Sequence, residues 1–361
     1  MRILNILFNH NKATHDNQVF GVERCFIDYS KYFVKFGHNV VSVVQKGISY
    51  IDKVEQCGCK VETMSAFARF DVLTIFKMTK LFYKFRPEIV LCHSKRALYF
   101  VRIAKFLTCS KAPLIVINHG IKVEKFLKAD YVLAVNSYFT QKLIEAGMPK
   151  NRAVAVPNMI EVAQDYKFLE KPQFRKPLKL GSLGRIYPEK NFDKVLYAMK
   201  ILKDQGFECE YVIGGVGTKQ KELEELARDL GLEKNFKVLG WTDDKKTFFE
   251  NIDIFMLPSS SETFGIVLLE AMLYNTPIIT SNSWGPEEII DHEVDGIKVS
   301  KDDAKKMPEL LAREIMRLNN DQEFAKKLAI NAHKKFLEKY EANVVISNLE
   351  KLFVEILKGK R

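Results

Sequence analysis

Leu257-Pro-Ser-Ser-Ser-Glu-Thr-Phe-Gly-Ile-Val-Leu-Leu-Glu270 places two carboxylates and a junction between loop and helix within fourteen residues. The run that leads into it, Asp253-Ile-Phe-Met-Leu257, is short and apolar and empties into Pro258 and three serines, the pattern of a buried strand ending in a polar loop. Gly265 opens an apolar run through Ala271 and Met272 that stops near Asn275 and Pro277, which predicts a helix whose first-turn N–H groups face out of the loop. Such an end attracts phosphate.

Glu262 lies on the loop and Glu270 about one and a half turns inside the helix, so the two cannot both serve a phosphate. A carboxylate that accepts two hydrogen bonds suits a vicinal diol, such as a ribose or a pyranose, and the adjoining helix end suits the diphosphate between them. That is the geometry of a nucleotide sugar. The plainer alternative is that Glu262 caps the helix and Glu270 is a solvated helical residue.

With 361 residues, 47% of them hydrophobic, the chain can build two domains with full cores. No run of eighteen apolar residues occurs, and Met1-Arg-Ile-Leu-Asn-Ile-Leu-Phe8 is too short and too interrupted by Asn5 for a signal peptide, so a cytoplasmic or membrane-peripheral protein is expected. Six cysteines, Cys25, Cys57, Cys59, Cys92, Cys109 and Cys209, include no C-x-x-C pair, which predicts neither disulfides nor zinc.

The net charge of +11 is unevenly placed: residues 1–170 hold 25 Lys+Arg against 14 Asp+Glu, and residues 171–361 hold 31 of each. A half-molecule with the whole positive field calls for an anionic partner, and phospholipid, phosphorylated glycolipid and nucleic acid all qualify. The aromatics fall at core-like spacings with no platform for stacking bases, which argues against nucleic acid. Phe67–Arg86 mixes aromatic and aliphatic residues with Lys77, Lys80 and Lys84 as a basic amphipathic helix, and Leu98–Lys111 has the same flavour. Either these are outer helices whose lysine stems cover apolar surface, or they lie on an anionic bilayer.

Along the first half, Arg2–Phe8, Val40–Val44, Glu88–Leu91, Leu114–Asn118 and Tyr131–Val135 read as strands separated by helical stretches, hence a parallel sheet with helices on both faces. In such a sheet the loops at the carboxyl edge carry function: Asn9–Phe20, His93-Ser-Lys-Arg96, Asn118-His-Gly120 and Asn136-Ser137. Gly21 opens a helix there and permits close approach of a ligand, and His93 with Lys95 and Arg96 is placed to meet an acceptor phosphate. Residues 1–168 are expected to form one domain, joined by a C-terminal helix at 343–361, and residues 178–342 the other, with the charged, aperiodic Glu161–Lys176 as linker.

The second half repeats the alternation. Leu183-Gly-Arg-Ile-Tyr-Pro-Glu-Lys190 sets Arg185 and Lys190 just after a strand, flanking a diphosphate if one binds. Fixed cations there stabilise the charge that grows on a departing phosphate without a metal. No D-x-D triplet is present.

The E-x7-E segment, with Ser-Glu-Thr-Phe-Gly265 before and Glu-Ala-Met272 after, closely resembles the retaining glycosyltransferases of family 4, which have the GT-B fold. Gly184-Arg185 with Lys190, Ile213-Gly-Gly-Val-Gly217, Leu239-Gly-Trp241 and Pro286-Glu-Glu-Ile289 ahead of Asp295-Gly296 reinforce it in the same order. The resemblance implies two doubly wound Rossmann-like α/β domains facing a cleft, with the C-terminal helix crossing back to the first. It puts Glu270 on the ribose, and Glu262 with the amides of Thr263, Phe264, Gly265 and Ile266 on the sugar. Leu239 would stand near the base, Gly184, Gly215 and Gly217 near the nucleotide, Arg185 and Lys190 on the diphosphate, and His119 on the donor sugar.

The implied activity is metal-free hexosyl transfer, with no cofactor, from a nucleotide sugar, expected to be a UDP-sugar, to a lipid-linked glycan or lipopolysaccharide-type acceptor. The implied place is the cytoplasmic face of the inner membrane. Retention would come from same-face attack, the leaving phosphate oxygen taking the acceptor's proton. The competing readings are a non-catalytic sugar-nucleotide or nucleic-acid-binding protein, and a nucleotide-sugar epimerase of the same fold, against which the E-x7-E pattern argues. Phe20 and Asn191 stand where the family commonly has glycine, and Met159 where it often does.

Overall fold

The computed structural model describes all residues except 10–18, 20, 67–70, 164–165, 169–172 and 360–361. The chain divides into two compact units, Met1–Met159 with Ala342–Arg361, and Ile160–Glu341.

The first unit runs β1 (Arg2–Leu7), α1 (Gly21–Lys35), β2 (Asn39–Gln45), α2 (Ile51–Glu55), β3 (Lys60–Met64), α3 (Val72–Phe85), β4 (Ile89–Cys92), α4 (Lys95–Leu107), β5 (Leu114–Asn118), β6 (Tyr131–Ala134), α5 (Ser137–Glu145) and β7 (Ala153–Ala155). Its seven strands are all parallel in the order β3-β2-β1-β4-β5-β6-β7. The central strands β4, β5 and β6 are buried along their whole length, as a sheet covered on both faces demands.

In this unit two strands escaped the sequence reading. Lys60-Val-Glu-Thr-Met64 is an edge strand with little buried, so it lacks an apolar run, and Ala153–Ala155 is only three residues long. The basic amphipathic helix is α3, which starts at Val72 behind the N-cap Asp71; residues 67–70 of the expected span lie outside the described residues, as does most of the Asn9–Phe20 loop.

The second unit runs β8 (Leu178–Leu183), α6 (Phe192–Asp204), β9 (Cys209–Gly214), α7 (Gln220–Asp229), β10 (Phe236–Gly240), α8 (Lys245–Glu250), β11 (Ile254–Leu257), α9 (Ile266–Leu273), β12 (Ile278–Ser281), α10 (Trp284–Ile289), β13 (Ile297–Val299), α11 (Met307–Asn320) and α12 (Gln322–Lys339). Its parallel sheet has the order β10-β9-β8-β11-β12-β13. Asp253, 3% exposed at the head of β11, accepts from Arg175 Nη1 at 2.7 Å and from the Lys179 amide at 2.8 Å, which fixes the start of the central strand pair.

α13 (Ala342–Leu357) belongs to the first unit. Val345, Ile346, Leu349, Leu352, Phe353 and Ile356 recur at helical spacing and enter one core with Tyr29, Phe33, Ile89 and Ile115. His38 Nε2 meets Glu350 at 3.0 Å beside this seam.

Candidate functional site

In each sheet the strand order reverses beside the first strand, between β1 and β4 in the first unit and between β8 and β11 in the second. Ligands of open parallel sheets bind outside the carboxyl ends of the strands at such a switch point. The loops after β8 and β11 are those singled out above.

After β8 the chain turns through Gly184-Arg-Ile-Tyr187 into a short 3-10 turn, Pro188–Lys190, and then Asn191, whose φ of 52° lies in the left-handed region. Asparagine tolerates that conformation better than most residues, which explains how it can stand in for glycine. Its Nδ2 donates to the Pro258 carbonyl at 3.0 Å, and the Ser260 amide donates to the Glu189 carbonyl at 2.9 Å. The two loops are thereby stitched together, and Lys190 Nζ reaches Glu262 Oε2 at 2.5 Å with side chains only 12% and 15% exposed. Arg185 is exposed, its guanidinium 5.0 Å from the Tyr187 ring centre.

Glu262 therefore does not cap α9. The N-cap is Gly265, at φ 92° and with no side chain to offer, so the first turn keeps its amides clear of a side-chain cap. Glu270 is 4% exposed within α9, which removes the alternative of a solvated helical residue. A carboxylate so buried persists only where donors or a ligand compensate it.

The glycines serve close packing of the loops. A Cβ on Gly215 would lie 1.9 Å from the Gly184 carbonyl oxygen, and one on Gly217 2.3 Å from that of Ile186. Gly215 N donates to the Gly240 oxygen at 2.7 Å, and the flanking Val216, Leu239 and Trp241 remain 36%, 44% and 37% exposed, an apolar rim beside this turn. Gly285 was missed in the sequence: a Cβ there would meet the Phe264 carbonyl at 2.2 Å, and its amide donates to the Glu262 carbonyl at 2.9 Å, holding the motif loop in place.

The structure thus gathers Gly184, Arg185, Lys190, Gly215, Gly217, Glu262, Thr263, Phe264, Gly265, Ile266 and Glu270 onto the loops and helix at the carboxyl edge of one sheet.

In the first unit, His119 follows β5 and His93 follows β4. His93 is 4% exposed, with its Nε2 2.9 Å from Asn5 Oδ1 and its Nδ1 3.1 Å from His119 Nε2; the two ring planes are 15° apart. Burial lowers the pKa of His119 to about 4 and holds that of His93 well below the usual imidazole range, so both are neutral near pH 7.

His93 thus sits buried in the short loop between β4 and α4, turned toward Asn5 and His119 and not shared with Lys95 and Arg96. Those two lie in the first turn of α4 behind the N-cap Ser94, Lys95 exposed and Arg96 donating to the Ala66 carbonyl at 2.9 Å. Gly21 is exposed at the start of α1, but that turn already carries the buried carboxylate of Glu23, which accepts from Asn9 Nδ2 at 2.5 Å. A negative charge there satisfies the helix end and competes with an anionic ligand.

All six cysteines are free. Cys25, His93 and His119 have their ligating atoms within 4.8 Å of one another, a soft donor set of the kind zinc takes. One feature opposes a metal there: the histidine nitrogens face each other at hydrogen-bonding distance.

Lys77, Lys80 and Lys84 are exposed on α3, whose opposite face buries Met78, Leu81 and Phe82. Val72, Leu73, Phe76 and Tyr83 are 57–74% exposed on the same helix, and Phe106 at the end of α4 is 82% exposed. Among the described residues no helix is long and apolar enough to cross a membrane.

Residues 19–164 match the family model described as Glycosyltransferase Family 4, and residues 165–335 match Glycosyl transferases group 1. The capsular polysaccharide biosynthesis glycosyltransferase CapM of Staphylococcus aureus is 24% identical over 317 residues, 80% of this chain and 82% of the relative. The lipopolysaccharide core biosynthesis glycosyltransferase LpsE of Rhizobium meliloti is 28% identical over 164 residues, 45% of this chain and 46% of the relative. Among solved structures, a glycosyltransferase from Rickettsia africae superposes with a TM-score of 0.82 at 18% identity over 99% of this chain and 98% of its own. Anabaena HepE in complex with UDP and glucose gives 0.78 at 18% identity over 98% and 100%.

Proposed function

Since its two halves match the two glycosyltransferase family models and its fold is GT-B, the chain is a glycosyltransferase of the group 1 and family 4 type, and we propose that it moves a hexose, with retained configuration, from a UDP-sugar to a lipid-linked glycan or lipopolysaccharide-type acceptor.

The observation that carries the donor reading is the joined pair Lys190 and Glu262 beside the uncapped start of α9 and the buried Glu270. Phosphate oxygens meet Lys190, Arg185 and the α9 amides, and Glu270 takes the ribose hydroxyls. As the nucleoside diphosphate leaves, negative charge grows on its β-phosphate, and the two cations stabilise it in the place a divalent metal would occupy in a metal-dependent enzyme. Glu262 holds Lys190 in position and turns its other oxygen to the sugar. The acceptor hydroxyl attacks from the face the diphosphate vacates and gives its proton to a phosphate oxygen. A UDP donor is supported by the presence of UDP in the HepE complex. His119, neutral, accepts a hydrogen bond from a donor-sugar hydroxyl and does not act as a base.

The acceptor class rests on the capsular and lipopolysaccharide relatives and on the surface of α3 and α4. Exposed Phe76, Tyr83 and Phe106 among Lys77, Lys80 and Lys84 suit a peripheral seat on the anionic cytoplasmic face of the inner membrane, where a lipid-linked acceptor would be presented.

The test is slow hydrolysis of UDP-, GDP- and ADP-sugars by the purified protein without acceptor. Release of UDP from one donor, lost in Lys190→Ala and Glu270→Ala, is the expected result. Equal release in those variants would sink the site assignment, and absence of both turnover and donor-induced stabilisation would sink the donor reading.

A further inference from the structure

Asn5 is fully buried in the middle of β1, the one polar side chain in that strand apart from Arg2 at its start. Its Nδ2 donates to the Phe26 carbonyl at 3.1 Å and to Ser30 Oγ at 3.0 Å. A carbonyl can only accept, so the amide orientation is fixed and Oδ1 faces His93. Oδ1 can only accept in turn, so His93 carries its proton on Nε2, 2.9 Å away. The neutral ring then has a bare Nδ1, which must take the hydrogen bond from His119 Nε2 at 3.1 Å. His119 therefore holds its own proton on Nε2 and presents Nδ1 as a lone pair, for which no partner occurs among the described residues.

We infer that Asn5 and His93 are positioning residues that fix the tautomer of His119, making its Nδ1 an obligate acceptor for a substrate hydroxyl. The chain of hydrogen bonds runs from the backbone carbonyl of Phe26 in α1, which accepts from Asn5, across the switch point between β1 and β4 to the carboxyl edge of β5. The hydrogen bond between the near-parallel rings, whose planes are 15° apart, and the edge contacts of Phe26 and Tyr29 on His93 prevent it from turning. A site built this way rejects a ligand that offers only an acceptor at that point, because two lone pairs would then face each other. The identity of the hydroxyl, a donor-sugar one, rests on the proposed glycosyl transfer; the tautomer does not.

The experiment is long-range proton–nitrogen NMR on the full chain with nitrogen-labelled histidine, the two rings assigned with His93→Asn and His119→Gln. The expected wild-type spectrum has both rings neutral with the proton on Nε2. In His93→Phe, His119 should become a mixture of tautomers, with donor KM raised roughly tenfold and kcat changed far less. His93→Asn, whose Oδ1 can stand where Nδ1 stood, should restore both.

A His119 proton on Nδ1 in the wild type, or an unchanged His119 in His93→Phe, overturns the inference. So does one equivalent of zinc that shifts both rings and is lost in Cys25→Ser. If His93→Phe does not fold, the wild-type spectrum alone decides. The expected spectrum with neither turnover of a nucleotide sugar nor donor-induced stabilisation would leave the relay standing and remove the donor reading.

Discussion

Lys190 Nζ and Glu262 Oε2 lie 2.5 Å apart, joining the turn after β8 to the loop after β11 across the point where the strand order reverses. Each holds the other in place, and a charge left alone at that exposure is costly. Lys190→Ala should lower kcat about 10²–10³-fold, the range seen for removing one donor aimed at developing charge. Glu262→Gln should cost less in kcat, and the double variant should fall short of the product of the two single effects, because the residues act as a unit. Strict multiplicativity in steady-state kinetics would show that they work separately.

Gly215 and Gly285 are required by contact with backbone, since their Cβ atoms would stand 1.9 Å and 2.2 Å from carbonyl oxygens. Gly215→Ala and Gly285→Ala should each destabilise the second unit by about 3 kcal/mol. Gly120→Ala, with nothing within 4 Å of its Cβ, serves as the control and should stay within about 0.5 kcal/mol. Urea unfolding of the three variants checks the order.

The histidine pair gives the fold an acid limit. Burial depresses the folded pKa of His119 to about 4 from an unfolded value near 6.5, so between those values the unfolded chain binds more protons. Its contribution is full above pH 6.5 and is lost as the pH falls toward 4, and His93 acts in the same direction. His119→Gln should flatten the loss of stability between pH 6.5 and 4.5, read from denaturant midpoints at each pH. An equally steep fall in the variant would place the acid limit elsewhere.

The lysines of α3 predict a salt-dependent attachment. Lys77→Glu with Lys80→Glu and Lys84→Glu should abolish cosedimentation with anionic vesicles at about 0.1 M salt, whereas Phe76→Ser should weaken it with less effect on the salt dependence. UDP-sugar hydrolysis should be unchanged in both. Vesicle binding that survives the triple charge reversal would remove α3 as the contact.

The βα alternation and the loop from Pro258 to Gly265 were legible because apolar runs and turn residues are local. What escaped depends on contacts between distant segments. Lys60–Met64 becomes a strand only through pairing with β2, and nothing in Ser-Trp-Gly285 shows that Phe264 will press against it. That His93 follows a strand was readable, but not that it is buried: its partners Asn5 and His119 lie 88 and 26 positions away. Asn5 itself was visible as the polar break in an apolar strand, and Ser94 as a cap ahead of Lys95 and Arg96 was readable from its type and place.

The assignment of α13 to the first unit orders events during synthesis. Residues 160–341 are contiguous and can close their core as soon as they leave the ribosome. The face of Tyr29 and Phe33, made first, stays uncovered until residues 342–357 emerge, so the half made earlier is completed later. During that interval the nascent chain exposes aromatic surface that a chaperone would recognise.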